Sequence, residues 1–353
     1  MTHYLNLFMK VAVYYSNSDV RIEERPLPLI ADGEILVRMM ASGICGTDVM
    51  QWYRQQKPPR VLGHEMAGEI VEAGKGVGKL KKGDRVFVSH HVPCFRCRYC
   101  DEGNYTACEA LHKGNYDPGG FSEYIRVPQP NVKYGTFRLP DEMKFEDAAM
   151  IEPLACVLLG QKQLGVEKRH TVLIIGSGIS GLLHIQMAKL KGATVVATDI
   201  NEYRLNKALE FGADHVFRAE EYSEDKLKEV NGGHLADRIV VCAGAKQAVS
   251  AAVSSVDRRG KILFFAVPNG DIVIPSMRFW RDEITVAFSY GAAPGDIQEA
   301  MDFMSDGRVN ASRMITHVLP FSDIQKGFKL VSEAEGSLKV VIVPDNYESG
   351  IKN

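Results

Sequence analysis

The sequence predicts an α/β protein of two domains: a small, glycine-hinged β-rich domain and a doubly wound parallel sheet. Three observations lead there. At 353 residues the chain exceeds one ordinary core, since compact domains hold about 100 to 200 residues. Its first part reads as short β-like runs broken by turns. From residue 171 onward, strand-like and helix-like runs alternate, and repeated βαβ alternation implies a parallel sheet with helices on both faces.

Taken in order, residues 11–15, 34–41, 67–73 and 85–90 are the β-like runs, hinged at Gly33, Gly74, Gly76 and Gly83. The first run follows Met9 and Lys10, so the residues ahead of Met9 read as an extension or an earlier start. The period turns helical over 145–159. Strand 172–175, helix 179–190, strand 194–198 and helix 204–211 then alternate, followed by strand 238–242, helix 245–256 and strands 261–266 and 284–289. Helices at 296–304 and 322–331 and a last strand at 339–343 form a tail that is read as returning to the first domain. No repeat on the solenoid scale is visible.

Composition excludes several classes. With 45% hydrophobic and 24% charged residues the chain is neither disordered nor of low complexity. Its 42 Lys and Arg against 44 Asp and Glu leave a formal charge of -2, which favours neither nucleic acid nor a membrane surface as partner. No apolar run of about 18 residues and no secretory leader are seen, so a cytoplasmic protein acting on a small molecule is expected. Seven cysteines, four of them within fifteen positions, suit a metal site in a reducing compartment better than a disulfide framework.

Those four, Cys94, Cys97, Cys100 and Cys108, have the spacing C-x-x-C-x-x-C-x7-C. Four thiolates close a tetrahedral shell around zinc, leave no open position and so hold a lobe together without doing chemistry. An iron–sulfur cluster, which also uses x-x gaps, is the rival occupant.

A second constellation has a different character. Cys45 and Asp48 lie in Gly43-Ile44-Cys45-Gly46-Thr47-Asp48, His64 and Glu65 in Gly63-His64-Glu65, and Glu152 in Ile151-Glu152-Pro153. One thiolate, one imidazole and one or two carboxylates hold zinc while leaving room for a substrate oxygen. Asp48 can orient His64 through its other ring nitrogen or merely cap the turn, and Thr47 can hydrogen-bond an oxygen held at the site. Taken singly, a Cys or His in a β-rich domain is more often a packed core residue.

Gly176-Ser177-Gly178-Ile179-Ser180-Gly181 is G-x-G-x-x-G directly after an apolar strand and at the opening of a helix. Gly176 permits the tight turn, Gly178 lets a pyrophosphate approach the backbone at the helix start formed by Ile179, and Gly181 lets helix meet strand. Asp199, eighteen residues after Gly181, can bond the ribose hydroxyls and repels a 2′-phosphate, so NAD is expected in preference to NADP. Arg204 is close enough in sequence to lie over the adenosine, or else sits on a solvated helix face.

Together these segments resemble the zinc-dependent medium-chain alcohol dehydrogenase family over almost the whole chain. Gly83-Asp84-Arg85-Val86, Gly119-Gly120-Phe121-Ser122-Glu123-Tyr124 and Ile315-Thr316-His317 add to the resemblance. His64-Glu65 with Glu152 is similar to the polyol (sorbitol-like) and threonine dehydrogenase branch. The resemblance implies a GroES-like catalytic domain over 1–158 and 293–353, with the structural zinc lobe at about 91–110, and a Rossmann domain over 159–292. It also implies two zinc ions per chain, a site in the cleft and a homotetramer or a dimer. Glu65 and Glu152 exchange as ligands in that branch, and Lys339 resembles the basic residue that reaches the cofactor, or is a surface strand lysine. Where many relatives carry a relay histidine this chain has Met50, so the outer proton path stays open, with His91 one candidate.

The activity expected is NAD-linked oxidation of a secondary hydroxyl in a polyol, cyclitol or sugar-like substrate to a ketone. Oxidation of a hydroxy-amino acid such as L-threonine is the alternative. A non-catalytic NAD-binding sensor and a zinc-free quinone reductase are the readings from outside this chemistry; both would lack the ligands. Trp52, Tyr53, His91, Phe121 and Tyr290 are candidates to shape the pocket.

Overall fold

The structure, a computed structural model, describes residues 8–54, 56–57 and 59–347; the expectation about the residues ahead of Met9 falls outside them except at Phe8. The chain divides into two compact units, residues 1–152 with 292–353, and residues 153–291.

In the first unit, Phe8–Ser16 pairs antiparallel with Asp19–Pro26 and with the short Arg60–Val61. The larger sheet runs Ile315–Pro320, Lys339–Val343, Ile35–Ile44, Glu65–Ala73, Arg85–Ser89 and Thr136–Arg138, with Tyr124–Val127 also on Ile35–Ile44. Strand Ile35–Ile44 carries the organisation. On one edge Gly43 faces Glu65, and on the other Gly43 faces Val341, so the tail strand and the Glu65 strand meet around one segment. Val11, Val37, Met66, Ile70, Phe121, Phe328 and Ile342 belong to the apolar core between these layers. That burial drives the tail back onto the amino-terminal sheet.

The second unit is a six-stranded, all-parallel sheet in the order His215–Arg218, Thr194–Asp199, Thr171–Ile175, Ala236–Val241, Val256–Phe264, Thr285–Phe288. Strand Thr171–Ile175 is buried throughout, as a central parallel strand covered on both faces must be. Helix Ile179–Leu190 follows it and is buried from Gly181 to Ala188. The order changes direction beside Thr171–Ile175, the crevice where parallel sheets of this kind bind ligands.

The expected helix at 145–159 is two helices, Phe145–Ala148 and Ile151–Leu164. Pro153 has no N–H and fits the first turn of a new helix, where that donor would be unpaired. The short strands at 60–61, 124–127, 136–138 and 215–218 give too few residues for a period to register. Among the described residues no helix is long and apolar enough to cross a membrane, and none of the seven cysteines forms a disulfide.

Candidate active site and metal centres

Strand Ile35–Ile44 ends at Cys45, and the turn after it is closed by its own side chains. The Cys45 N–H donates to Asp48 Oδ2 at 3.1 Å, and the Asp48 N–H donates to the Cys45 carbonyl. Both the N–H and the hydroxyl of Thr47 donate to Cys45 Sγ, at 3.5 and 3.3 Å. Asp48, wholly buried, does more than cap the turn: its Oδ1 lies 3.6 Å from His64 Nδ1 and 3.2 Å from Arg54 Nη2. Arg54 donates further to the Thr47 carbonyl at 2.8 Å and to Thr47 Oγ1 at 3.3 Å.

One ligand atom each from Cys45, His64 and Glu65 lies within 4.8 Å of the others. Glu152 lies outside that trio, half-buried at the start of its helix, and acts on His64 and Lys339 through its charge. Glu65 is fully buried and its two oxygens accept from Lys339 Nζ at 2.9 and 2.7 Å, while the same ammonium lies 3.3 Å from the Ile44 carbonyl. Gly43 makes room for this: a Cβ there would stand 2.0 Å from Glu65 Oε2. Lys339, 2% exposed, is thus not a surface lysine. Its ion-pair partner is the Glu65 carboxylate, itself one of the three gathered donors.

The electrostatics suit a divalent cation. Cys45, Asp48, Glu65 and Glu152 can carry four negative charges against the two of Arg54 and Lys339. Burial opposes charge on His64, yet Asp48 and Cys45 outweigh it and raise its pKa well above the ordinary value. Burial likewise opposes charge on Lys339, and Glu65 and Cys45 outweigh it. A thiolate, imidazole and carboxylate set is the donor chemistry of zinc. His90 stacks on His91 at 3.7 Å and stands 5.1 Å from the His64 ring; burial pushes His90 well below the ordinary histidine value and His91 down to about 4.

In the lobe, Cys94, Cys97, Cys100 and Cys108 also place their sulfurs within 4.8 Å of one another. Two of the separations are 3.6 and 4.0 Å, against an edge of about 3.8 Å for a tetrahedron with 2.3 Å zinc–sulfur bonds. Burial would raise the Cys108 thiol, but backbone N–H groups, that of Cys94 foremost, bring it down to about 6. Only Leu111 and Tyr105 join the cysteines in this cluster, too little apolar surface to hold the segment by itself.

In the second unit Gly176 has φ 94°, and a Cβ on Gly181 would stand 2.0 Å from the Gly176 carbonyl. Gly178 caps helix Ile179–Leu190. Asp199 Oδ2 accepts the Ser177 N–H at 2.7 Å and Oδ1 the Asn201 N–H at 2.9 Å. Arg204 is not on a solvated face: its guanidinium stands over Gly178, 4.0 Å from Asp199, with a buried Nε that has no hydrogen-bond partner among the described residues.

Of the pocket candidates, Trp52, Tyr53 and Tyr290 are exposed. Phe121 is instead core, 1% exposed and edge-on to Phe328. Arg54 escaped the sequence reading because nothing in the spacing tied it to Thr47. Lys339 did carry a signal, a lone charge opening a wholly apolar strand.

A GroES-like β unit bearing a thiolate-containing donor set and, in the same chain, a parallel-sheet unit with a glycine phosphate turn define a zinc-binding dehydrogenase. Residues 31–140 match the alcohol dehydrogenase GroES-like domain and residues 180–306 match the zinc-binding dehydrogenase domain. Sorbitol dehydrogenase of Bacillus subtilis is 30% identical over 98% of this chain and 100% of its own length. Among solved structures, galactitol-1-phosphate dehydrogenase from Escherichia coli is 30% identical, with TM-score 0.84 over 95% of this chain and all of that one. An alcohol dehydrogenase from E. coli CFT073, complexed with cofactor NADH, is 26% identical with TM-score 0.85 over 96% of this chain and all of that one. The chain belongs to the zinc-dependent medium-chain dehydrogenase family, with the polyol dehydrogenases, and is an oxidoreductase.

Proposed function

We propose that the protein oxidises a secondary hydroxyl of a polyol or related sugar-like substrate to a ketone with NAD. The observation that carries this reading is the gathering of Cys45, His64 and Glu65 with the Thr47 hydroxyl 3.3 Å from the Cys45 sulfur. Sorbitol and galactitol-1-phosphate dehydrogenases as relatives support the substrate class. Cys45, His64 and a carboxylate would hold zinc, which would supply Lewis acidity toward the substrate oxygen, and bound NAD would supply the hydride acceptor.

The remaining work falls to the chain. Thr47 Oγ1 accepts the hydrogen bond of the substrate hydroxyl and takes part in removing its proton. Arg54 has donors only, so it fixes the Thr47 hydroxyl without carrying a proton onward. Asp48 braces the turn at Cys45 and the ring of His64. Lys339 competes with the ion for Glu65, which leaves Glu152 to share the ligand role. Gly176, Gly178, Ile179 and Gly181 seat the pyrophosphate, and Asp199 takes the adenosine ribose and disfavours a 2′-phosphate, with Arg204 alongside.

We assign a second, structural zinc to Cys94, Cys97, Cys100 and Cys108, and a cytoplasmic setting in which those thiols stay reduced. We further assign a homotetramer. Val267, Val273, Ile274, Met277, Trp280, Phe288 and Tyr290 are exposed in one stretch, Trp280 at 79% and Val273 at 85%. Thr285–Phe288 in the same stretch is a sheet-edge strand, and exposed apolar edges are covered in stable proteins.

The test is a screen of NAD reduction over sorbitol, xylitol, galactitol, inositols, aminocyclitols and L-threonine, with metal content measured on the same protein. Turnover of polyols with two zinc ions per chain is expected. Turnover of L-threonine alone would move the assignment to hydroxy-amino acids, and no turnover by the zinc-loaded protein would reject it.

A further inference from the structure

We infer that His90 is a specificity-determining residue: its ring nitrogen Nδ1 binds the hydroxyl on the carbon next to the one oxidised, so that the site selects a vicinal diol. The inference deepens the polyol reading and rests on it.

Sheet register places this ring. Strands Glu65–Ala73 and Arg85–Ser89 pair antiparallel with Glu65 opposite Ser89. Continued by one residue, that register sets His64 opposite His90, and opposed residues of an antiparallel pair turn their side chains to the same face. The two rings accordingly lie 5.1 Å apart. The backbone beside them is pinned. The buried Asn131 amide donates to the Ser89 and His90 carbonyls, each at 2.9 Å, and Ser89 Oγ donates to the His91 carbonyl at 2.8 Å. His91 stacks on the His90 ring at 3.7 Å, and Tyr116 meets it near edge-on at 6.3 Å. A ring held in this way is fixed before a substrate arrives, which a discriminating contact requires.

Its Nδ1 is nevertheless left over. The atom is buried, and no group among the described residues hydrogen-bonds it. Elsewhere in the chain Nδ1 is used: those of His170, His184 and His317 meet partners at 2.9, 3.0 and 3.0 Å, and Asp48 faces that of His64. His184 does leave its Nε2 without a hydrogen-bond partner among the described residues, but the Phe265 ring stands at 85° to that imidazole, 4.7 Å away, and an aromatic face can take an N–H. His90 is not a metal donor either, since the group whose ligand atoms lie within 4.8 Å of one another is Cys45, His64 and Glu65. A buried polar atom with no protein partner lowers stability, so its retention calls for a use.

A polyol supplies that use. The reacting hydroxyl belongs at the donor set of Cys45 and His64, beside Thr47. Each neighbouring carbon bears another hydroxyl, and hydroxyls on adjacent carbons lie about as far apart as a hydrogen bond is long. With the His64 and His90 rings 5.1 Å apart, one oxygen at the donor set and the next on His90 Nδ1 fit a single diol. Either ring tautomer serves, because a hydroxyl gives its proton to a lone pair or accepts the N–H. A simple secondary alcohol would leave Nδ1 enclosed and unpaired, and that penalty is what rejects it.

The experiment measures kcat/KM for xylitol, sorbitol and galactitol against analogues lacking one hydroxyl beside the oxidised carbon. Wild-type protein is compared with His90→Phe, His90→Asn and His90→Gln, with zinc content and thermal midpoint determined on each. The wild type should prefer a parent polyol over one of its deoxy analogues by roughly thirtyfold. In His90→Phe, which keeps a stacking ring and removes Nδ1, the preference should fall to about threefold, through KM and not kcat. His90→Asn carries a polar atom on the same Cγ as Nδ1 and should keep a preference of about tenfold, whereas His90→Gln, whose polar atoms lie one bond further out, should lose it. His90→Phe should also keep the zinc content of the wild type and a thermal midpoint no lower, since an unpaired buried atom has been removed. A lower midpoint with an unchanged preference would make the ring a packing element and overturn the inference. Zinc lost from His90→Phe would give the ring to the metal, and a rise in KM for NAD alone would give it to the cofactor; each overturns it as well. Equal use of parent and deoxy polyols by the wild type sinks the inference while the polyol reading stands. If zinc-loaded wild type oxidises no polyol, the polyol reading falls first and the inference with it.

Discussion

Four thiols within fifteen residues make one site of the first unit. The other gathers Cys45 and His64 from two turns, Glu65 from a strand and, 274 positions from Glu65, the Lys339 ammonium. The lobe offers one kind of donor, four thiols, and is bounded by few apolar side chains. The second site uses unlike ligands and surrounds them with buried counter-charges, Asp48 with Arg54 and Glu65 with Lys339. Local sequence can therefore specify a site that only has to hold. A site that has to react needs charges delivered by the fold, because each buried charge must find its partner before an ion can be bound and left partly open.

The largest expected effect breaks the reacting site alone. Cys45→Ala or His64→Ala should lower turnover by at least about a thousandfold. Metal should fall from two ions per chain to one, with NAD affinity by fluorescence titration within about twofold of wild type. Full activity in either variant would remove the role given to these residues.

Cys97→Ser, by contrast, should act on stability first. Loss of one zinc should lower the thermal midpoint by more than about 5 °C, measured by calorimetry with metal analysis. A drop no larger than that of Cys45→Ala would erase the distinction between holding and reacting.

Lys339→Met probes the joint between fold and chemistry. Removing one partner of a buried pair leaves the Glu65 carboxylate uncompensated, at a cost of about 3 to 5 kcal/mol by chemical denaturation. Turnover should fall roughly a hundredfold as Glu65 is released toward the ion, and Lys339→Arg should recover part of both. Wild-type stability in the Met variant would show that the pair is not needed.

The smallest effect concerns the other unit. Asp199→Ala should weaken NAD about tenfold and raise the NADP-to-NAD ratio of kcat/KM by a similar factor. An unchanged ratio would place discrimination elsewhere, with Arg204 the next residue to test.

The glycine turn at 176–181 and the four-cysteine spacing could be read directly because each is local: backbone conformation and ligand spacing are set within a few residues. Strand Lys339–Val343 and helix Ile179–Leu190 were legible at their full length for a similar reason, an uninterrupted apolar period. The split of the helix near residue 150 was not, since Pro153 is compatible with a kink or with a fresh first turn, and only packing chooses. Phe121, a candidate for the pocket by sequence, is core, because an aromatic in a loop gives no sign of which layer will cover it.

What the sequence determined by itself was the kind of chemistry: thiolates, an imidazole and carboxylates in turn motifs, and a glycine turn after an apolar strand. What the tertiary structure alone decided was their electrical setting. Gly43 pairs with Glu65 on one side and with Val341 on the other, and that double pairing carries Lys339 to Glu65. A partner hundreds of residues away in the chain is chosen by sheet register and core burial, quantities that no local pattern contains.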